Sequence, residues 1–370
     1  MADASERPTR TVLAVDGNSL VHRAYHALAG AAGSPTARTD DGQPAWAVRG
    51  LLTQLVAAVE RIEPDVVVVG FDDPASSLRR QRWPQYKANR AAKADALVSQ
   101  LRLASETLRD LGVAVVIPEG LEADDVLAST ARQAGDGGAA TVLVTSDRDA
   151  FALIDERTSV LRIINGGVLA SPMLTPARLV TLLGVRPDQY RDFAALRGDP
   201  ADNLPGVRGI GAKTAARLLA ALGSARAVFD DAATGGARVR AAAGAGVARR
   251  LTDPAARDAW ELACQVMTMR ADLPLGVDFA AAAGSAAGVD QGAGPGALPL
   301  DAEAVRAVYT RFRLPSTTRA ALAVLAQQRD GAPPRPPTLQ GFACAEQPLP
   351  QDRRPVSIRT VPRSSQLALF

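Results

Sequence analysis

Thr11-Val-Leu-Ala-Val-Asp16-Gly-Asn18 is the stretch on which the fold turns. An unbroken run of apolar and β-branched residues ends on an aspartate. Such a run, too short for a helix and rich in valine, suits a strand covered on both faces, as in a parallel sheet. The pattern recurs. Val66-Val-Val-Val-Gly-Phe71 closes on Asp72, and Thr141-Val-Leu-Val-Thr-Ser146 leads into Asp147 and Asp149. Ala114–Ile117 and Val160–Ile164 complete the expected strands. Helical periodicity fills the intervals at Trp46–Ile62, Asp95–Leu111 and Leu121–Gln133. This alternation predicts an α/β fold, an open and mainly parallel sheet with helices on both faces. Ligands of such sheets lie beyond the carboxyl ends of the strands, where Asp16, Asp72 and Asp147 fall.

Glu122, Asp124 and Asp125 open the third helical stretch, and Asp199 and Asp202 stand in Gly198-Asp-Pro-Ala-Asp-Asn203. Each group has an ordinary reading alone. Acids at a helix start complement its dipole, and the second group is rich in turn formers. Glu122 and Asp125, however, are spaced i to i+3 and share a helix face. If the set converges with Asp16 and Asp72, its mutual repulsion calls for hard cations. Oxygen-only ligands favour Mg²⁺ or Mn²⁺.

The 370 residues allow about two domains, and the 47% hydrophobic and 22% charged content suits a globular protein. No apolar run reaches the roughly 18–20 residues of a membrane span. The start, Met1-Ala-Asp-Ala-Ser-Glu, lacks the basic and apolar regions of a secretory signal. Cys264 and Cys344 lie far apart, which suggests neither a disulfide framework nor a zinc site and fits a reducing cytoplasm. His22 and His26 are the only histidines; a His-rich metal site is disfavoured, and both read as structural. The net charge of +3 is small, but basic and acidic residues are segregated. Pro74–Ala94 holds no acid, yet carries Arg79, Arg80, Arg82, Lys87, Arg90 and Lys93 together with Trp83 and Tyr86. A cationic, aromatic segment beside a metal site suits a single nucleic-acid strand; the ordinary alternative is a solvated helix face. Arg23 could likewise hold a phosphate.

Residues 174–265 read as mainly helical. Gly206-Val-Arg-Gly-Ile-Gly-Ala-Lys-Thr214 is a near miss to a phosphate loop, because Ala212 intervenes before Lys213-Thr214. A helix–hairpin–helix fits better, with Gly206, Gly209 and Gly211 admitting a DNA phosphate to the backbone; a plain packing element is the alternative. Ala280–Pro299 reads as a loose Ala/Gly-rich loop, Asp301–Leu314 as a last helix, and the chain from Gly331 as a disordered tail. The expected domains are 1–178, 179–330 with the hairpin at about 196–222, and 331–370.

Leu13-Ala-Val-Asp-Gly-Asn, His22-Arg-Ala-Tyr-His-Ala-Leu, Val69-Gly-Phe-Asp, Tyr86-Lys-Ala-Asn-Arg, Glu122-Ala-Asp-Asp-Val-Leu-Ala, Thr145-Ser-Asp-Arg-Asp and Leu196-Arg-Gly-Asp-Pro-Ala-Asp-Asn-Leu-Pro-Gly occur in one order. Together they resemble the bacterial 5′–3′ exonuclease and flap endonuclease family, similar to the amino-terminal nuclease of bacterial DNA polymerase I, over roughly residues 11–225. The resemblance implies a PIN-like nuclease core with a helical arch over about 79–110. It implies one metal region at Asp16, Asp72, Glu122, Asp124 and Asp125 and a second at Asp147, Asp149, Asp199 and Asp202. Lys87 and Arg90 would contact the scissile phosphate, with Arg79 nearby. Gly206, Gly209, Gly211, Lys213 and Thr214 would grip duplex, with a K⁺ ion admissible there. Asp73, Arg148 and the segment Ala91-Ala-Lys-Ala-Asp-Ala depart from the usual pattern.

The expected activity is two-metal-ion hydrolysis of DNA flaps, nicked ends and RNA primers, leaving 5′ phosphates, by a monomer acting at the nucleoid. Gln366-Leu-Ala-Leu-Phe370 resembles a β sliding-clamp peptide, with Gln366, Leu367, Leu369 and Phe370 as anchors; a random apolar terminus is the alternative. Two rival functions remain open at this point. One is an aspartyl-nucleophile phosphatase, although the first strand ends Asp16-Gly-Asn and not Asp-x-Asp. The other is a non-catalytic DNA-binding clamp accessory.

Overall fold

Val66↔Val12 and Thr141↔Val12 are the pairings that build the sheet, with strand β1 (Thr11–Asp16) flanked in parallel by β2 (Val66–Gly70) and β4 (Ala140–Thr145). Strands β3 (Ala114–Val116), β5 (Thr158–Arg162) and β6 (Met173–Leu174) complete the order β3-β2-β1-β4-β5-β6, in which only β6 is antiparallel. The computed structural model describes residues 10–28, 39, 42–279 and 294–326. The direction of winding reverses between β1 and β4, and that switch point opens a crevice at their carboxyl ends. The α/β expectation is met. Strand β5 lies two residues earlier than the apolar run suggested, because Thr158 and Ser159 pair with Thr141 and Val142 and polar side chains masked the strand's start.

Helices α1 (Gly17–Leu28), α2 (Trp46–Ile62), α3 (Leu78–Arg82), α4 (Asp95–Asp110) and α5 (Ala123–Asp136) connect the early strands, and α6 (Gly167–Ala170) follows β5. Helices α7 (Pro176–Leu183), α8 (Pro187–Arg197), α9 (Ala212–Leu222), α10 (Ala225–Ala233), α11 (Ala237–Ala243), α12 (Ala245–Leu251) and α13 (Pro254–Val266) form the helical region, and α14 (Ala302–Arg311) and α15 (Pro315–Leu325) end the described chain. One face of the sheet buries α1, α2 and α4 through Leu13, Val69, Leu52, Leu108 and Val144. The other side shares a core with the helical region, in which Leu143, Phe151 and Val160 meet Tyr190, Phe193 and Leu196. Among the described residues no helix is long and apolar enough to cross a membrane.

The expected boundary at 179–330 needs correcting. Residues 294–326 return to the α/β layer. Gly296 accepts from the Val67 amide at 2.8 Å, and Tyr309 Oη donates to the Leu52 carbonyl at 3.1 Å. Leu300, Val305, Val308 and Phe312 fill the same core as α2 and α4. The apolar face of α14 was legible; its target, far away in sequence, was not. All described residues fall in one compact unit. The clamp-like peptide, Cys344 and most of the Ala/Gly-rich loop lie outside the described residues.

Candidate active site

Asp16 ends β1, and Asp72 follows β2 within one residue of Phe71. Their carboxylates are aimed by short polar contacts. The Ser19 amide donates to Asp16 Oδ1 at 2.8 Å and the Thr145 hydroxyl to Oδ2 at 2.8 Å. Asn18 Nδ2 donates to Asp72 Oδ2 at 2.6 Å, the Ala123 amide donates to Oδ1 at 3.0 Å, and Asn18 Oδ1 accepts the Asp72 amide. Helix α5 therefore docks its first amide on Asp72 and brings Asp124 to the same crevice. Asp147 and Asp149 sit on the turn after β4, where Asp147 Oδ1 accepts the Asp149 amide at 3.0 Å.

Electrostatics shows the convergence. Burial raises Asp16 to about 7, and Asp72 and Asp147 add to it, against the Ser19 and Thr145 donors. Burial first, then Asp147 and Asp16, holds Asp124 well above the carboxylate range. Burial and then Asp147, Asp202 and Asp199 do the same for Asp149. Carboxylates from five separate segments thus feel one another. Among the described residues no three acids form a finished cation cage. The donor set nevertheless fits divalent hard cations: all oxygen, crowded, and with Asp124 and Asp149 held by no hydrogen bond to their carboxylates among the described residues.

The basic segment lies on this crevice. Lys87 Nζ is 3.1 Å from Glu122 Oε2, Arg90 Nη2 is 2.5 Å from Asp202 Oδ1, and Lys93 Nζ is 4.0 Å from Asp72 Oδ2. Backbone contacts fasten it: the Lys87 amide donates to Asp202 O, Asn89 to Pro200 O, and Asn203 Nδ2 back to Gln85 O. Lys87 holds a positive φ of 55°. Burial opposes its charge, but Glu122 and Asp202 outweigh burial and keep the ammonium above its ordinary value. Burial also raises Asp202, while Lys87 and Arg90 pull the other way. Within the expected arch, residues 83–94 cross the crevice, whereas α4 is a core helix through Leu97, Ala104 and Leu108.

Two residues are placed differently from expectation. Arg79 does not reach out to a phosphate. It is 8% exposed, and every N–H of its guanidinium is used: Nε to Val266 O, Nη1 to Asp125 and Glu122, Nη2 to Asp125 and Thr268 O. Asp125, with no exposed surface, accepts Arg79 twice at 2.7 Å, the Arg270 amide at 2.8 Å and the Glu122 amide at 3.0 Å. Four acceptor directions are filled, so none is left for a metal. Asp125 thus points into the protein, where Arg79 links it to the end of α13, whereas Glu122 also meets Lys87 on the crevice side.

Tyr86 also corrects the stacking expectation. It is 5% exposed, and its hydroxyl donates to Glu122 Oε2 at 3.0 Å. Burial and Glu122 push that phenol far up, so it stays a donor. Trp83 is half-buried with Arg82 above its ring. Asn18 and Thr145 were missed as site residues, and Tyr86 was given a different role; the signal of all three was proximity to Asp16, Asp147 and Lys87 in the sequence. Arg23 bonds Asn165 at 3.0 Å and lines a cleft of about 640 Å³ walled by Trp46, Gln54 and Ile163, which carries no acid. His22 faces Lys93, His26 and Arg90; burial first, then these groups, lowers it to about 4, as suits a neutral structural imidazole.

At the hairpin, Gly206 is buried with φ 63°, and any side chain there would collide with the Gly198 backbone, so the close approach of the two segments requires a glycine. Gly209, Gly211 and Lys213 are exposed, Thr214 is half-buried, and the Arg250 guanidinium stands beside Gly209.

A pH dependence follows. For metal-free protein, the raised Asp16 means that the folded state binds more protons than the unfolded one between 3.8 and about 7. Unfolding free energy therefore falls as pH rises there. His22, depressed to about 4, works oppositely but only below its ordinary value of 6.5. From about pH 6.5 to 8 the Tm should drop by roughly 1–2 °C, equivalent to about 1 kcal/mol, and Mg²⁺ should restore it. A metal-free Tm that climbs over this interval, in scanning calorimetry, contradicts the crowding.

Residues 11–180 match the N-terminal resolvase-like domain of 5′-3′ exonucleases, and residues 185–288 match their C-terminal SAM fold. The chain is 39% identical over 230 residues to DNA polymerase I of Mycobacterium tuberculosis, which covers 62% of this chain and 25% of that protein. It is 38% identical over 273 residues to the thermostable DNA polymerase I of Thermus aquaticus, covering 74% and 30%. The chain thus spans a quarter to three tenths of the length of these relatives. T5 5′-exonuclease with bound divalent metal ions (zinc) superposes with a TM-score of 0.56 at 18% identity, over 85% of this chain and all of that one. Human GEN1 in complex with Holliday junction DNA gives 0.51 at 18%, over 85% and 71%. At such identities the superpositions establish a shared fold.

Proposed function

The chain belongs to the 5′–3′ exonuclease family, and on that premise we propose that it is a structure-specific 5′ nuclease. It hydrolyses phosphodiester bonds of DNA at nicks, RNA primers and 5′ flaps, leaves 5′ phosphates, and acts in replication and repair as a monomer at the nucleoid. One observation carries the reading: carboxylates from β1, β2, α5 and the β4 turn meet at one crevice, with Lys87, Arg90 and Lys93 laid across it.

Asp16, Asp72, Glu122 and Asp124 would hold one divalent ion and Asp147, Asp149, Asp199 and Asp202 a second, Mg²⁺ or Mn²⁺. When bound, such ions supply Lewis acidity for hydrolysis. The chain's own residues do the rest. Tyr86 and Arg79 orient Glu122; Asn18 orients Asp72. Lys87 and Arg90 now neutralise Glu122 and Asp202. With ions held by those carboxylates, the Lys87 ammonium and Arg90 guanidinium would be free to meet a phosphate and its developing charge. Gly209, Gly211, Lys213 and Thr214 grip the duplex backbone without reading bases, and a K⁺ ion there would fit the same backbone. Gln366–Phe370 would tether the enzyme to a β sliding clamp, a reading that rests on sequence alone.

The test is a labelled 5′-flap duplex with Mg²⁺ or Mn²⁺, compared with a blunt duplex and a small phosphomonoester, with and without a clamp. Metal-dependent cutting near the flap junction is expected, with clamp stimulation lost on deletion of Gln366–Phe370. Phosphate release from the ester without flap cutting would instead mark a phosphatase, and binding without turnover an accessory protein.

A further inference from the structure

Thr145 ends β4 with no exposed surface. Its hydroxyl donates to Asp16 Oδ2 at 2.8 Å and accepts the Asp147 amide at 3.0 Å. A hydroxyl carries one proton and two lone pairs. Giving that proton to the carboxylate fixes the rotor and leaves a lone pair for the amide. One oxygen therefore touches both carboxylate groups, through the side chain of Asp16 and the backbone of Asp147. Ser19 makes a weaker parallel link: its Oγ accepts the Ser146 amide at 3.0 Å and meets Ser146 Oγ at 2.5 Å, while its amide holds Asp16 Oδ1. The ladder pairing of β1 with β4 ends at Val15↔Val144. Beyond it, these hydroxyls are what ties the end of β1 to the turn that carries Asp147 and Asp149.

We propose that Thr145 is a positioning residue that fixes the spacing of the two carboxylate groups and thereby couples ion binding at one to ion binding at the other. It rests on the ligand assignment above. Valine fills the same volume but strands Asp16 Oδ2 and the Asp147 amide, so the turn can drift. Outer-shell partners of this kind are worth about 10–100-fold in metal affinity or activity.

The experiment is Mn²⁺ titration of the full chain without DNA, followed by the electron paramagnetic resonance of free Mn²⁺, alongside metal-free DNA binding and melting. Thr145→Val and Thr145→Ala should weaken Mn²⁺ binding about tenfold and flatten its cooperativity, with DNA affinity unchanged. Thr145→Ser should restore both. If the valine protein does not fold, the alanine and serine proteins decide. Unaltered Mn²⁺ binding by the valine or alanine protein overturns the role, as does a serine protein that behaves like valine, since that assigns the effect to methyl packing. If the unsubstituted chain binds no Mn²⁺, the ligand assignment has failed and this role falls with it.

Discussion

Arg79→Met should lower stability by about 3–5 kcal/mol, the usual cost of leaving one member of a buried ion pair without its partner. For a chain of this size that corresponds to a drop of roughly 5–8 °C in Tm. The reason is local and complete. Methionine follows the path of the arginine stem but donates nothing, so Asp125 keeps a buried charge with only two amides around it. Val266 and Thr268, the carbonyls at the end of α13, also lose their donor. Arg79→Lys should recover only part of the loss, because one ammonium cannot serve a bidentate carboxylate and two carbonyls. Melting by calorimetry or circular dichroism checks this. An Arg79→Met protein that melts like the unsubstituted chain yet binds flap DNA poorly would return Arg79 to the phosphate-contacting role first expected of it.

Asp124→Asn should do two opposite things. Metal-dependent flap turnover should fall about a thousandfold, equivalent to about 4 kcal/mol of activation free energy. Metal-free protein should melt higher, because a carboxylate that burial, Asp147 and Asp16 all disfavour becomes a neutral amide. Its neighbour gives the contrast. Asp125→Asn keeps the shape but weakens the Arg79 pair, so it should melt lower. Adjacent acids in one helix turn would then shift stability in opposite senses. Turnover unchanged in Asp124→Asn, or a lower metal-free Tm, would remove Asp124 from the ion-holding set.

Much of the fold was open to inspection in the chain itself. The valine-rich runs at Thr11–Val15, Val66–Phe71 and Thr141–Thr145 are continuous because both faces of those strands are covered, and a period of neither two nor 3.6 is what such burial writes. The acids at their ends could be placed at one edge by topology alone. Individual duties were less visible. Arg79 and Arg90 look alike in Pro74–Ala94, yet one is sealed against Asp125 and the other reaches Asp202 from a half-exposed position. Asp124 and Asp125 differ only in the direction of a helix turn, and nothing in their spacing says which faces the crevice. Gly206 and Gly209 have one composition and two uses. The docking of Tyr86–Arg90 on Pro200–Asn203 joins segments more than a hundred positions apart, beyond the range of any local pattern.

The return of residues 294–326 to the first layer separates the order of synthesis from the order of assembly. A chain still emerging from the ribosome has made every acid of the crevice by Asp202, but β2 lacks the partner that Gly296 provides and α2 lacks the cover of Tyr309. The first layer is thus completed only once residues 294–326 have been released, more than ninety positions after the last of those acids.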